Sequence, residues 1–162
     1  MNALWHFSED LSLGRFVPRD DKVWAIDQHH SWLYWFPRDC PRACFWAVES
    51  TTDEDVERWL DGDRERRVAV IETDWLERER YVRLYAYRMP PEPFEVVEDG
   101  RFYIASVEVD ALEVVELDDL LARHAEAGNE LRIAPSLYPL WDRVVESTLD
   151  FSGIRLRNAV RL

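Results

Sequence analysis

Short segments with the two-residue period of β-strands recur along this chain and restrict its fold more than any other feature. Over Tyr81–Arg88, tyrosine and arginine side chains alternate with apolar ones, as in a strand that is buried on one face. Comparable segments predict further strands at 4–7, 23–27, 43–48, 67–73, 94–97, 101–107, 112–117, 131–134 and 154–160. Between two of them, Glu98-Asp99-Gly100 indicates a hairpin turn.

Four segments have helical patterns instead. Thr52 and the acids after it form a helix start that leads to about Leu60. Asp118 begins a second candidate helix that ends near Gly128, and Gln28–Phe36 has helical spacing up to Pro37. The strongest pattern, at 137–149, is an apolar stripe preceded by Ser136. These elements predict one α+β domain over residues 1–162, with mostly antiparallel sheets, Leu4–Phe7 inside a sheet and helix 137–149 packed on it.

Glycine and charge exclude several classes of function. The five glycines are widely separated, so the chain lacks the glycine-rich loop of a Rossmann or P-loop nucleotide site. The net charge is −13, which repels phosphate backbones and disfavours general nucleic-acid binding. No apolar run approaches the length of a membrane span, and the N-terminus lacks signal-peptide features. We therefore expect a cytoplasmic protein that does not enter a membrane.

The two cysteines, Cys40 and Cys44, do not form a recognisable metal or redox motif. Their spacing is neither that of a redox C-x-x-C pair nor that of half a zinc site with a visible partner half. We expect reduced, partly buried thiols and no metal.

Histidine and tryptophan concentrate near the N-terminus. Three of the four histidines and five of the eight tryptophans lie within the first 46 residues. Residues 1–48 are also almost neutral, with six acids and five bases. Rings, an imidazole and the arginines Arg38 and Arg42 are suitable for a pocket that binds a flat, charged small molecule. This block is therefore the candidate site.

Several stretches, His6–Asp10, Val23–Asp27, Leu33–Arg42 and Phe151–Ala159, resemble a family of small, functionally uncharacterised bacterial proteins. The order of elements near the N-terminus is also similar to that of ADP-ribosyltransferase-like proteins. That order is a histidine on the first strand, then an aromatic-rich second strand, and then a helix that carries a tyrosine.

The second resemblance implies an ADP-ribosyltransferase-like fold and a site for NAD. His6 would hold a ribose of NAD and Tyr34 would stack on nicotinamide. The glutamate that such proteins carry on a later strand would be Glu108, with Glu116 as the second choice. The residues that would complete the cofactor site are Ser8, Trp24, Asp27, His30, Arg38 and Arg42.

Each of these residues also has a purely structural interpretation. His6 could bond its own loop, Tyr34 could pack in the core, and Asp27 could cap the following helix. Pro37–Arg42 could be a rigid turn with an internal ion pair. A Ser-His-Asp hydrolase, built from Ser8 or Ser31 with a nearby histidine and aspartate, lacks a nucleophile-elbow pattern.

Two functions from different classes follow. The first is NAD-dependent ADP-ribosyl transfer or cleavage of the nicotinamide–ribose bond. The second is a non-catalytic module that binds a nucleotide-like ligand or a protein through the same aromatic cleft. A carboxylate beside His6 and Tyr34 in one concavity would favour the enzyme.

Overall fold

A computed structural model describes residues 3–97 and 100–161 and arranges their strands in three sheets. The strands are β1 (Leu4–Ser8), β2 (Arg15–Phe16), β3 (Val23–Asp27), β4 (Arg42–Trp46), β5 (Arg67–Glu72), β6 (Leu84–Met89), β7 (Glu95–Val96), β8 (Phe102–Ala105), β9 (Val109–Asp110), β10 (Glu113–Leu117), β11 (Asn129–Ala134) and β12 (Asp150–Ile154). The helices are α1 (Asp53–Leu60), α2 (Leu76–Tyr81), α3 (Leu120–Glu126) and α4 (Tyr138–Val144), with single 3₁₀ turns at Ser31–Tyr34, Thr73–Trp75 and Leu156–Asn158. The predicted α+β class with mostly antiparallel sheets is confirmed.

The chain divides into two compact units, and each consists of two separate segments. The first unit is Met1–Arg38 with Val82–Asp118, and the second is Asp39–Tyr81 with Asp119–Leu162.

The first unit contains a six-stranded sheet in the order β10-β6-β1-β3-β8-β7 and the two-stranded ribbon β2-β9. The prediction that β1 lies inside a sheet is confirmed, because antiparallel β6 and β3 flank it. On one face of this sheet, apolar side chains of the sheet, the ribbon and a loop form a buried cluster. This cluster comprises Leu4, Phe16, Val23, Ala25, Tyr87, Met89, Phe94, Ala105 and Val109. We call this side, the one that carries Leu4 and Tyr87, the covered face.

The second unit contains the sheet β11-β5-β4-β12, in which β11 runs parallel to β5. Its core joins residues of β4, β5, α1 and α4, namely Ala43, Phe45, Val56, Leu60, Val68, Val70, Leu137, Val144 and Leu149. The apolar stripe of α4 therefore packs in the core of this sheet, whereas the sequence analysis placed it on the sheet of β1. α4 also ends at Val144, five residues short of the predicted 137–149.

Two helix starts agree with the sequence. The Thr52 side chain accepts a hydrogen bond from Asp55 N at 3.2 Å, which confirms the predicted cap of α1. α3 is capped by Asp119, through Ala122 N at 3.3 Å, one residue later than predicted.

Two predicted elements are wrong, and a third is confirmed only in part. The helix at Gln28–Phe36 is only one 3₁₀ turn, because Asp27 holds the backbone of His30 in a turn and Pro37 disfavours helical geometry before it. The strand at 154–160 ends at Ile154, since Arg155 adopts a left-handed φ of 56°.

The strand predicted at Tyr81–Arg88 is confirmed from Leu84 onward by β6, but Tyr81 belongs to the unpredicted helix α2. The predicted pairing of 94–97 with 101–107 is confirmed by β7 and β8, while Glu98 and Asp99 of its turn lie outside the described residues. In the described part of the chain, no helix has the length and apolar character that crossing a membrane requires.

Candidate functional site

His6 lies on the covered face of β1. Its hydrogen bond determines which ring nitrogen carries the proton when the imidazole is neutral. Its Nδ1 is 2.9 Å from the carbonyl oxygen of Trp24. A carbonyl oxygen only accepts, so Nδ1 carries the proton and Nε2 carries the lone pair when the ring is neutral. The ring of Phe16 packs against the imidazole, with centroids 4.8 Å apart. Burial lowers the pKa of His6, so the ring is mainly neutral near pH 7.

The charges that act on His6 are cationic. The hydrogen bond to the Trp24 carbonyl raises the pKa of His6 in part, and the guanidinium groups of Arg38 and Arg19 lower that pKa further. Two backbone contacts position these arginines. Arg38 N donates to a carboxylate oxygen of Glu9, just after β1, at 3.0 Å. Arg19 and Lys22 exchange two backbone hydrogen bonds of 3.0 Å immediately before β3.

The turn between Arg19 and Lys22 explains this placement. Asp20 and Asp21 both have positive φ values, 52° and 63°, which is the backbone of a type I′ hairpin turn, and aspartate tolerates that region. The turn places Arg19 and Lys22, together with the carboxylates of Asp20 and Asp21, at the end of the sheet where β1 finishes and β3 starts. Within the described residues, neither Arg19 nor Arg38 has an ion-pair partner.

Trp24 occupies the same end of the β1–β3 pair on the opposite face, which we call the aromatic face. Its side chain is 46% exposed. Lys22 Nζ lies 5.7 Å from its ring centroid, and Phe102 packs edge-on at 6.3 Å. The tip of this strand pair thus combines accessible ring surface with cationic groups.

The predicted convergence of His6 and Tyr34 does not occur. Adjacent residues of a strand point to opposite faces, so His6 and Phe7 lie on different sides of the sheet. His6 is opposite Tyr87 on the covered face. Tyr34 instead lies 6.5 Å from Phe7, with ring planes 9° apart, and 6.0 Å from Phe102. Tyr34 therefore belongs to the aromatic face.

The predicted carboxylates also lie away from His6. Glu108 is 3.6 Å from Arg15 Nη1, and Asp110 is 2.9 Å from Arg15 Nε, on the exposed side of the β2–β9 ribbon. Phe16, which contacts His6, projects from the other side of that ribbon. Glu116 is on β10, where it pairs with Arg83 at 3.4 Å and is half exposed. Neither glutamate has the position that the transferase hypothesis requires.

Three other candidates have local structural roles. Ser8 Oγ accepts a hydrogen bond from Asp10 N at 3.0 Å. The buried carboxylate of Asp27 accepts from His30 N at 2.7 Å and lies 2.9 Å from His30 Nδ1. Asp27 therefore caps the turn after β3, as its purely structural interpretation in the sequence analysis suggested. It also orients the imidazole of His30.

Arg42 lies in the second unit and is buried on β4, where its Nη1 donates to the Cys40 carbonyl at 3.0 Å. Cys40 and Cys44 are free and buried, and burial raises the pKa of each thiol to about 12. Such thiols are not nucleophilic near neutral pH.

The second unit also buries an acid that the sequence analysis missed. Glu79 is fully buried 3.5 Å from Nε2 of His124, whose Nδ1 is 3.0 Å from the Asn129 amide nitrogen. Burial raises the pKa of Glu79. Among the described residues, no group of three or more His, Cys, Asp or Glu side chains could hold a metal ion.

Sequence reasoning also missed Phe16, whose ring contacts His6, and Arg19, whose charge lowers the pKa of His6. A signal for Arg19 was present, because Arg19-Asp20-Asp21-Lys22 precedes a strand and contains residues that tolerate a tight turn. Phe16 gave no comparable signal, since its position depends on β2 pairing with the distant β9.

These features define an α+β protein with cationic and aromatic side chains at one end of an antiparallel strand pair. The chain belongs to a family of unknown function, DUF6886, whose model matches residues 5–159. The expected membership of an uncharacterised family is thereby confirmed. No curated protein and no solved structure matches the chain, so the resemblance to ADP-ribosyltransferase-like proteins receives no support from these comparisons.

Proposed function

We propose that this chain is a non-catalytic module that binds a small anionic molecule with a planar ring, such as a nucleotide. The observation that carries the proposal is the collection of groups at the end of the β1–β3 pair. The charges of Arg19 and Arg38 act on His6 at the covered face, and the half-exposed ring of Trp24 lies at the same end of the sheet on the aromatic face, with Lys22 Nζ 5.7 Å from its centroid. A ligand that uses both faces must therefore reach around the end of the strand pair. We call this end, with His6, Arg19, Trp24 and Arg38, the strand-end site.

The chemistry of these groups matches that ligand class. The planar fork of a guanidinium pairs with two phosphate oxygens at once. Stacking of a base on an aromatic side chain contributes roughly 1–3 kcal/mol. Because the chain as a whole carries a net charge of −13, two local arginines favour one small anion over a long polyanion.

ADP-ribosyl transfer fits this arrangement less well. Orienting and cleaving the nicotinamide–ribose bond requires ring stacking and a carboxylate close to the group that holds the ribose. Here both candidate glutamates lie away from His6: Glu108 is paired with Arg15 on the outside of the ribbon, and Glu116 is paired with Arg83 on β10. The geometry therefore supports binding better than it supports catalysis.

Calorimetric titration tests the proposal with AMP, ADP-ribose, NAD and inorganic phosphate. We expect saturable binding of at least one nucleotide, weakened at least tenfold by Arg38→Ala, which corresponds to about 1.4 kcal/mol. Arg58→Ala is the matched control, because it removes the same charge from an exposed position on α1 in the second unit.

Trp24→Leu separates ring stacking from charge. We expect it to weaken binding of the nucleotides and to leave binding of inorganic phosphate unchanged. Absence of binding at millimolar ligand, or equal losses in Arg38→Ala and Arg58→Ala, would refute the proposal. Release of nicotinamide from NAD by the wild-type chain would instead support the enzymatic alternative.

A further inference from the structure

The six-stranded sheet of the first unit ends in β10 on one side and in β7 on the other. β7 has only two residues, and Pro93 lies two positions before it. Short strands and prolines are means by which proteins keep a sheet edge from pairing with other chains. β10 has five residues, and none of them is proline or lysine. β10 is therefore the edge of this sheet that can accept another strand.

The outer edge of β10 combines apolar side chains with backbone groups that face away from β6. Its first four residues are all exposed, although they alternate between the two faces of the sheet. Val114 is 43% exposed and Val115 is 40% exposed. Among the described strands, none lies beyond β10 to bond its outward N–H and C=O groups. Such an edge is suited to an added strand, because backbone hydrogen bonds and apolar contacts form together.

The two acids of β10 have cations beside them on β6. Glu113 Oε1 is 2.6 Å from Arg88 Nε, and Glu116 Oε1 is 3.4 Å from Arg83 Nη1. These exposed ion pairs add little stability. They do balance the charge of β10, so the acids of the strand do not by themselves exclude a partner.

Symmetry restricts how β10 can pair with a second copy of itself. Opposite residues of an antiparallel pair point to the same face of the sheet, and the two-fold axis of the dimer also preserves the faces. One residue of the strand must therefore lie on the axis, opposite its own copy. An axis at Glu113 or Glu116 would place two identical acids opposite each other, which is destabilising. An axis at Val114 or Val115 avoids this.

The charges around β10 favour the axis at Val115. Val115 is the middle residue of the strand, so this axis pairs all five residues of β10. An axis at Val114 pairs only residues 113–115 with one another and brings Asp110 opposite Asp118 of the other copy. With the axis at Val115, the opposite pairs are Val115 with its copy, Val114 with Glu116, Glu113 with Leu117, and Leu112 with Asp118. No acid then faces an acid.

We propose that two copies of this chain associate through antiparallel pairing of β10, about a two-fold axis at Val115, and so join two six-stranded sheets into one. The inference goes beyond the proposed function and does not depend on the ligand. One strand pair is a small interface, so the dimer is weak and depends on concentration. Each copy carries a net charge of −13, so added salt screens the repulsion between copies and strengthens the association.

Sedimentation analysis of the wild-type chain tests the dimer at protein concentrations from roughly 10 µM to 1 mM, the range of weak interfaces. We expect a monomer–dimer equilibrium that shifts toward the dimer as sodium chloride is raised from about 50 to 300 mM. A chain that stays monomeric throughout, or a dimer that dissociates as salt is added, would overturn the inference.

Charge substitutions at Val115 test the position of the axis. Val115→Glu and Val115→Lys each place two like charges opposite each other, so each should weaken dimerisation at least tenfold. A mixture of the two variants should associate again, because opposite charges then meet on the axis. The matched controls are Val145→Glu and Val145→Lys, which change a valine of similar exposure, 39%, in the second unit. Failure of the mixture to associate, or equal losses in the controls, would overturn the proposal.

A disulfide provides a second readout that does not depend on tolerance of a charge. Under mild oxidation, Val115→Cys should form a covalent dimer, because the two introduced thiols face each other. Val114→Cys should not, since its two copies are diagonal neighbours with Cα atoms roughly 7–8 Å apart. Cys40 and Cys44 are buried, so the wild-type chain serves as the control. Cross-linking of Val114→Cys in preference to Val115→Cys would overturn the proposed axis.

Discussion

Gly153 lies where a single methyl group cannot be added without disturbing the core of the second unit. A Cβ at this position of β12 would be 2.6 Å from Cη2 of Trp141 and 2.7 Å from Cδ1 of Leu156. Carbon atoms in good contact are about 3.5–4.0 Å apart, so both side chains would have to move by roughly 1 Å. Trp141 is held against Phe151, edge to face, with ring centroids 5.6 Å apart.

We therefore expect Gly153→Ala to lower the free energy of unfolding. Overpacking costs about 1–3 kcal/mol. Alanine also reduces the conformational entropy of the unfolded chain, which offsets roughly 0.4–1 kcal/mol of this cost. This gain applies here because Gly153 does not have a positive φ, so alanine can adopt its backbone conformation. The net loss is about 1–2 kcal/mol. For a chain of this size, that lowers Tm by about 2–8 °C.

Urea unfolding followed by circular dichroism measures this change. Gly14→Ala is the control, since nothing lies within 4 Å of a Cβ built there, and it should stay within about 0.5 kcal/mol of wild type. Trp141→Phe should relieve the clash, so the double variant should be more stable than the two single losses predict, by about 0.5 kcal/mol or more. Wild-type stability of Gly153→Ala, or strict additivity with Trp141→Phe, would refute the reasoning.

Three further predictions concern stability. Thr52→Ala removes the cap that Asp55 N uses and should cost about 1 kcal/mol in urea unfolding, whereas an unchanged midpoint would contradict it. Burial raises the pKa of Glu79 above its ordinary value of 4.5. The folded protein therefore holds this proton more tightly than the unfolded chain does, and the contribution of Glu79 to the free energy of unfolding declines as the pH rises above 4.5. Relative to wild type, Glu79→Gln should become more stable as pH increases from 4 to 7, and a pH-independent difference would show that the carboxylate ionises without cost. Asp27→Ala leaves His30 N without its acceptor and should cost about 1–3 kcal/mol, measurable as a lower melting temperature; the exposed variant Asp53→Ala should cost less.

The sequence predicted elements well where local chemistry determines them. The side chain of Thr52 caps α1 because that contact requires only neighbouring residues. The strands β1, β3 and β5 follow from alternation and β-branched content. The strand predicted at 154–160 failed because the backbone conformation of one residue is incompatible with the strand that the alternating side chains indicate. Arg155 interrupts an alternating segment with a left-handed residue, which no side-chain periodicity reveals.

For the candidate site, the sequence indicated which residue types are concentrated near the N-terminus but not which faces of the sheet they occupy. In the N-terminal block, the charge of Arg38 lowers the pKa of His6, and Trp24 is exposed. Which face a residue occupies depends on strand register and on the path of the loops, which is information that one sequence does not carry. Tyr34 illustrates this, because its ring lies beside Phe7 rather than on the side of His6.

The discontinuous make-up of the first unit has a consequence during synthesis of the chain. β1 and β3 emerge early, but β6, which pairs with the other edge of β1, starts only at Leu84. At about 5–20 residues per second, the ribosome needs roughly 4–16 s to translate the chain from Leu4 to Leu84. During this interval one edge of β1 has no native partner and can pair with other nascent chains. A chaperone that shields extended segments, or slower initiation that spaces ribosomes along the message, should therefore raise the yield of folded protein more than lowering the temperature after synthesis does.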